Sequence, residues 1–388
     1  MAIGHEAHTR CSETRPNVLG YALAKRYFPP RKVAAGDMSN VLARGRDQFK
    51  RAQMQAPEPL LNAPIFIVGA PRSGTTLLRN MLNRHPVIAI GPETDFNHYV
   101  YSRRQSFGSL SESQNRQRLV DAYLATEHVR KMRVDLKALR DTLLREGTSY
   151  ENFFASLLRF YAQSQGKKRW GEKTPRHAFM TETLCDWYVS GTVIHLVRDP
   201  RDVVASSLHL PGATNNVLGG AYLWLHCNLE ARKAHDRPQY LLIRYEELVK
   251  QPEQELRRIC AVLGVEYSPV MLLPNCDPAS VLPWYRRAEE PVTTDRLGKW
   301  RDELTPDHVA LVEWIVGPHM PSFGYEVVGR APTNLAIFRG ATFAAFDAVK
   351  RRITEFPAAW YYFTRSTNLV KEENARHRFR KRFVTSVN

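Results

Sequence analysis

Short continuous apolar runs alternate along this chain with longer stretches in which apolar residues recur every three or four positions. The continuous runs are 65–68 (IFIV), 192–197 (TVIHLV) and 240–243 (YLLI). Their length and lack of alternation predict strands covered on both faces. The recurring stretches predict helices over about 74–83, 119–131, 150–163, 202–209, 219–235, 252–263 and 306–315. In the helix over 252–263, Leu256, Ile259, Cys260 and Leu263 share one face. Residues 102–118, rich in Ser, Gln and Arg with few apolar anchors, read as a mobile loop. Strands alternating with helices predict an α/β fold, a parallel sheet flanked by helices on both faces. Helix-like pieces at 18–27 and 38–54, split by Pro29 and Pro30, lie outside that core. The expected organisation is a helical N-terminal extension over 1–60, a core domain over 61–329 and an aromatic C-terminal extension over 330–388.

Charge sharpens this division. The formal net charge is +16 over 388 residues. Residues 1–55 hold ten Lys/Arg against four Asp/Glu, and residues 330–388 hold twelve against four. The middle is therefore close to neutral and both ends are basic, as for a partner with an anionic surface or for solvated tails. The stretch 335–363 interleaves Phe338, Phe343, Phe346, Trp360 and Phe363 with Arg339, Lys350, Arg351 and Arg352. It fits an anionic membrane surface, although packing on the core or on a second copy of the chain, as a homodimer, is the commoner fate of such a stripe. No zinc finger, RNA-binding aromatic signature or leucine zipper is present, so nucleic acid is not an expected partner. Five cysteines, at positions 11, 185, 227, 260 and 276, form no C-x-x-C pair. Together with the lack of an apolar leader or of a run near ~18 apolar residues, they predict a cytoplasmic protein, peripheral to a membrane at most.

Two stretches carry the candidate chemistry. The first, IFIVGAPRSGTTLL from Ile65 to Leu78, sets a strand, a loop bounded by Gly69 and Gly74, and a helix in succession. That layout turns backbone N–H groups and a helix N-terminus toward an anion. Gly69, Gly74 and Thr76 fit the Walker A spacing, but Thr75 stands where the lysine that neutralises a triphosphate should be. With Arg72 inside the loop, the ligand is expected to be a phosphate compound other than ATP or GTP. The second stretch, HLVRDPRDVVASSL from His195 to Leu208, delivers Arg198 at a strand end and Ser206 on the following helix. A charged fork with a hydroxyl suits a terminal phosphate. The bland alternative is a surface ion pair between Arg198 and Asp199.

Together, PRSGTTL and RDPRDVVAS resemble the sulfotransferases that use 3′-phosphoadenosine-5′-phosphosulfate (PAPS). The resemblance spans roughly residues 62–328 and implies a P-loop-type parallel sheet, PAPS as sulfuryl donor, PAP as product, no required metal and a hydroxyl-bearing acceptor. It implies that Pro71, Arg72, Ser73, Gly74, Thr75 and Thr76 hold the 5′-phosphosulfate, and that Arg198 and Ser206 hold the 3′-phosphate. Within the family the spacing looks most like the tyrosylprotein branch and its bacterial relatives. There the stretch GPETDF maps a general base onto Glu93, RWGEKTPRH maps a sulfuryl-contacting lysine onto Lys173, IRYEELVKQP places Tyr245 near the adenosine, and LGKW brings Lys299 over the phosphates. Asp95 departs from that branch, which carries an arginine there. The acceptor is thus left open among carbohydrate, lipid, natural product and tyrosine.

These roles are chemically coherent. Glu93 would accept the acceptor proton if a dry pocket raised its pKa. Arg72, Lys173 and the loop N–H groups would stabilise charge on the leaving phosphate and sulfuryl oxygens. Surface placement of Glu93, and an ion pair between Lys173 and Glu172, are the structural alternatives. His177 and His98 are rival bases, whereas His195 lies within a strand and reads as structural. A P-loop nucleotide kinase, or a non-catalytic protein binding anions or membrane surfaces through its basic ends, are the competing functions.

Overall fold

The computed structural model describes residues 63–209, 216–273 and 292–354. Five strands, β1 (Ile65–Gly69), β2 (Ile88–Gly91), β3 (Arg169–Lys173), β4 (Thr192–Val197) and β5 (Tyr240–Arg244), form one parallel sheet in the order β2-β3-β1-β4-β5. Register is set at β1, where Ile65 lies opposite Gly171 on one side and Thr192 on the other. Because strand side chains alternate, β1 sends Phe66 and Val68 into one core and Ile65 and Ile67 into another. The helices α1 (Thr75–Arg84), α2 (Ser113–Leu124), α3 (Leu136–Glu146), α4 (Tyr150–Ser164), α5 (Pro200–Leu208), α6 (Val217–Arg232), α7 (Pro252–Leu263), α8 (Pro306–Val316) and α9 (Asn334–Thr354) surround it. Leu78 and Leu82 of α1 and Ile259 and Leu263 of α7 cover the isoleucine face, while Phe153 and Phe154 of α4 and Trp224 of α6 cover the other.

The α/β parallel sheet, its three apolar strands and the helix over 252–263 are as the apolar pattern predicts. Strands β2 and β3, which extend the sheet on one side of β1, are additions. All five residues of β3, RWGEK, are buried, although three of them carry charge, so its hydropathy gives no strand signal. Residues 102–118 are not a loop. They contain the helix Arg104–Phe107 and the first half of α2. Phe107 and Leu110 are 1% and 2% exposed, and these two anchors suffice to seat a stretch whose other face is polar. Helix α3 is likewise an addition, capped by the Asp135 carboxylate, which accepts from the N–H groups of Lys137 and Ala138.

The N-terminal extension, Cys11, Cys276 and residues 355–388 lie outside the described residues. Cys185, Cys227 and Cys260 are buried free thiols. Among the described residues no helix is long and apolar enough to cross a membrane. In α9, Ala336 is buried and Gly340 approaches Leu218 and Leu311, but Phe338 and Phe343 are more than half exposed. Over 336–343, one face of α9 thus packs on α6 and α8 while Phe338 and Phe343 are on the other.

His195 is structural, as expected. Its Nδ1 meets the Tyr240 hydroxyl and its Nε2 the Asn228 amide oxygen, with the ring fully buried. Burial pushes its pKa down from 6.5 to about 4, so the unfolded chain takes up this proton first. Stability from the neutral ring is complete above the unfolded value and is lost as pH falls through the window from 6.5 to about 4. Between pH 7 and 5 the loss should reach about 2 kcal/mol. Urea unfolding at a series of pH values should show a shallower pH dependence for His195→Gln; an equal slope would contradict this.

Candidate active site

Parallel strands bring their C-terminal ends to one rim, and every candidate residue but one converges there. From β1 the chain turns through Ala70–Gly74 into α1. Arg72 and Gly74 have φ of 75° and 91°, and the Ser73 N–H donates to the Ala70 carbonyl at 3.2 Å. Gly74, which caps α1, offers no side-chain cap, so the first-turn N–H groups address the rim. Buried Ser73 has a hydroxyl without a partner. A Cβ at Gly74 would sit 2.4 Å from the Tyr245 ring in addition to its left-handed φ. Gly74→Ala should therefore displace Tyr245 and reshape the loop, weakening anion binding about tenfold or more; calorimetric titration checks it, and unchanged affinity would refute the tight fit.

Arg198 leaves β4 into the same space. Its Nη1 donates to the Arg72 carbonyl at 3.3 Å, its Nη2 to the Arg296 carbonyl at 2.7 Å, and its guanidinium lies 4.5 Å from the centre of the Tyr245 ring. The Nε is buried without a partner. The ion pair with Asp199 does not form: Asp199 pairs with Arg201 at 2.7 Å and caps α5, and Arg198 faces Asp202 at 3.6 Å. Ser206 comes back one helix later, as its spacing predicts, and meets Arg72, whose Nε donates to its hydroxyl at 3.1 Å. The two motifs thus touch.

Asp202 was not singled out by the sequence. Its carboxylate accepts from the N–H groups of Gly298 and Trp300, each at 2.9 Å, and so fastens the 298–300 turn against Arg198. Burial raises its pKa against the opposing pull of Arg198 and the two amides. Lys299 sits on this turn, yet its ammonium points to Asp302 at 3.7 Å and is 42% exposed. Its backbone is at the rim, and its charge is the one candidate that does not face the others.

On the other side of the loop, Lys173 ends β3 with its ammonium buried. It pairs with the Glu93 carboxylate, and it donates to the Thr76 hydroxyl at 3.2 Å. The alternative pairing with Glu172 fails because consecutive strand residues face opposite ways. No dry pocket encloses Glu93, whose side chain is 35% exposed. Its carboxylate is instead held by a cation. His177, the rival base, is buried and hydrogen-bonded on both ring nitrogens. Its Nδ1 lies 3.1 Å from Glu172, its Nε2 accepts the Asn97 N–H at 3.2 Å, and the residue is 1% exposed. No group of His, Cys, Asp or Glu suited to a metal is found among the described residues.

A glycine-bounded loop at the end of a parallel sheet, with a threonine in place of the Walker lysine and an arginine opposite, defines a P-loop-like α/β fold. Comparison with known proteins narrows this. The chain belongs to the sulfotransferase family, whose sequence profile matches residues 64–269. A putative protein-tyrosine sulfotransferase of Caenorhabditis briggsae is 27% identical over 220 residues, 54% of this chain and 68% of that protein. Nodulation protein NoeE of Sinorhizobium fredii is 25% identical over 306 residues, 70% of this chain and 67% of that protein. Among solved structures, the sulfotransferase domain of the Synechococcus PCC 7002 olefin synthase is 25% identical, covers 67% of this chain and 97% of its own, and has a TM-score of 0.44.

Proposed function

We propose that this chain transfers the sulfuryl group of PAPS to an acceptor hydroxyl. The observation that carries this reading is the meeting of Lys173, Glu93 and Thr76 beside a loop whose Ser73 hydroxyl and facing Arg198 Nε lack partners. Both unpaired groups are donors, and buried unpaired donors cost about 1–3 kcal/mol each; phosphate oxygens would satisfy them. Pro71, Arg72, Ser73, Gly74, Thr75 and Thr76 hold the 5′-phosphosulfate, Arg198 and Ser206 the 3′-phosphate, and Tyr245 borders the adenosine. Lys299 closes over the phosphates only if its side chain swings from Asp302.

In the transfer, the acceptor oxygen bonds to sulfur as the bond from sulfur to the 5′-phosphate oxygen breaks, and the acceptor proton passes to Glu93. Lys173 leaves the Glu93 carboxylate for the oxygen between sulfur and phosphorus, so one movement uncovers the base and stabilises the leaving charge. Arg72 and the loop N–H groups hold the remaining negative charge, with no metal. The acceptor is a tyrosine, carbohydrate, lipid or natural-product hydroxyl. The exposed Phe338 and Phe343 support contact of α9 with an anionic membrane or a second copy of the chain.

PAP titration in excess chelator should give binding, and ATP with Mg²⁺ should not compete. Mass spectrometry after incubation with PAPS and a panel of phenolic, sugar and prenyl alcohols should find a sulfated product. Tight ATP binding without PAP binding would return the chain to the nucleotide-kinase class.

A further inference from the structure

The backbone that carries Glu93 rests on a buried polar cluster with no part in the transfer just described. Glu172 is 1% exposed. Its carboxylate accepts from the Thr94 N–H at 3.1 Å, the Thr94 hydroxyl at 2.8 Å, the Thr174 hydroxyl, and His177 Nδ1 at 3.1 Å. The Thr174 hydroxyl oxygen also accepts from the N–H groups of Thr94 at 3.2 Å and Asp95 at 3.4 Å. With Asn97 bonded to His177 Nε2, three amides of the 94–97 turn end on this cluster. From above, the Tyr123 hydroxyl donates to the Thr94 carbonyl at 2.9 Å and His128 Nδ1 to the Glu93 carbonyl at 2.8 Å.

Burial would push the Glu172 carboxyl up, but the His177 ring, the Thr174 hydroxyl and the Thr94 amide, all donating to it, outweigh burial and hold it below the ordinary range. It is thus the charged, four-fold acceptor that the geometry requires. We propose that the Glu172–Lys173 dipeptide is a two-sided clamp on Glu93: Lys173 grips its carboxylate at the donor face, while Glu172, with Thr174 and His177, fixes the 94–97 backbone from the opposite face. Glu172 and Thr174 are then positioning residues. The function assigned to the clamp rests on the reading of Glu93 as base; its grip on the turn does not.

The chemistry of the cluster makes it testable by small changes. An amide at position 172 has one acceptor oxygen, so Glu172→Gln must set its NH₂ against a donor of Thr94, Thr174 or His177. Thr174→Val keeps the shape and removes the acceptor, and Thr174→Ser restores it. In the full-length chain, both Glu172→Gln and Thr174→Val should speed amide exchange at Thr94 and Asp95 about tenfold or more, with Thr174→Ser near wild type. Unchanged exchange in the two disrupting variants overturns the clamp. Hydrolysis of PAPS to PAP and sulfate, with water as acceptor, supplies the functional readout. Misplacing the base should lower kcat about tenfold with KM for PAPS within about twofold. An equal fall in PAP affinity would mean general disruption and overturn the positioning role. On a Glu93→Gln background the Glu172 substitution should lower kcat no further; a second full loss overturns action through Glu93. If Glu93→Gln alone leaves hydrolysis unchanged while the turn still loosens, the base assignment falls and the grip of the clamp on the turn stands.

Discussion

Replacing Glu93 by glutamine should lower sulfuryl transfer by about 10²–10⁴-fold, the usual contribution of a positioned general base. The amide keeps the shape of the side chain and can still accept from Lys173, so PAP affinity should stay within about twofold of wild type. The loss should appear in kcat. Lys173 and Glu93 form an ion pair in the free chain, so the variant also frees the ammonium for the donor, and PAPS affinity should not fall. Steady-state rates with any acceptor from the panel, beside a PAP titration, decide the matter. Near-normal turnover would place the base elsewhere. It would not restore His177, whose two nitrogens are already committed to Glu172 and Asn97.

Arg198→Ala should weaken PAP binding by about 10²–10³-fold, the result of removing one partner from a buried charged contact. The effect should be selective. AMP, which lacks the 3′-phosphate, should bind the variant and the wild type alike, so the preference for PAP over AMP should vanish. Arg198→Lys is the informative control. It retains a charge for Asp202 but loses the planar fork and the stacking on Tyr245. An intermediate loss is expected, and calorimetry with both nucleotides measures it. Equal weakening of PAP and AMP by Arg198→Ala would mean that the arginine supports the loop rather than a 3′-phosphate.

The central strands were legible because complete burial on both faces leaves an unbroken apolar run, as in β1 and β4. The edge half of the sheet was not. In β3 all five positions are buried although three carry charge, and Glu172 and Lys173 are held there by hydrogen bonds and an ion pair that no periodicity reveals. The loop and the Arg198–Ser206 spacing were legible because backbone geometry dictates them: glycine at the left-handed Gly74, proline opening α5, one helix bringing a hydroxyl back. The pairing of Lys173 with Glu93 joins positions eighty residues apart and needed the fold. So did Asp202 and Glu172, whose partners are mostly amides and hydroxyls, groups that every segment carries. Recognising RWGEK as a strand would have exposed one signal, since alternation alone separates Glu172 from Lys173.

The turn that Asp202 fastens has a practical meaning for anyone shortening this protein. The family profile ends at residue 269, and a gene trimmed to that boundary would still encode the whole sheet. It would lack the Arg296 carbonyl and the Gly298 and Trp300 amides. It would also lack Glu313, which pairs with Arg201 at 2.8 Å and receives the amides of Val328 and Gly329. Asp202 would be stranded beside Arg198 with both amides gone, and the arginine would collapse onto it. The smallest useful fragment must therefore run past Gly329, sixty residues beyond what sequence matching would suggest.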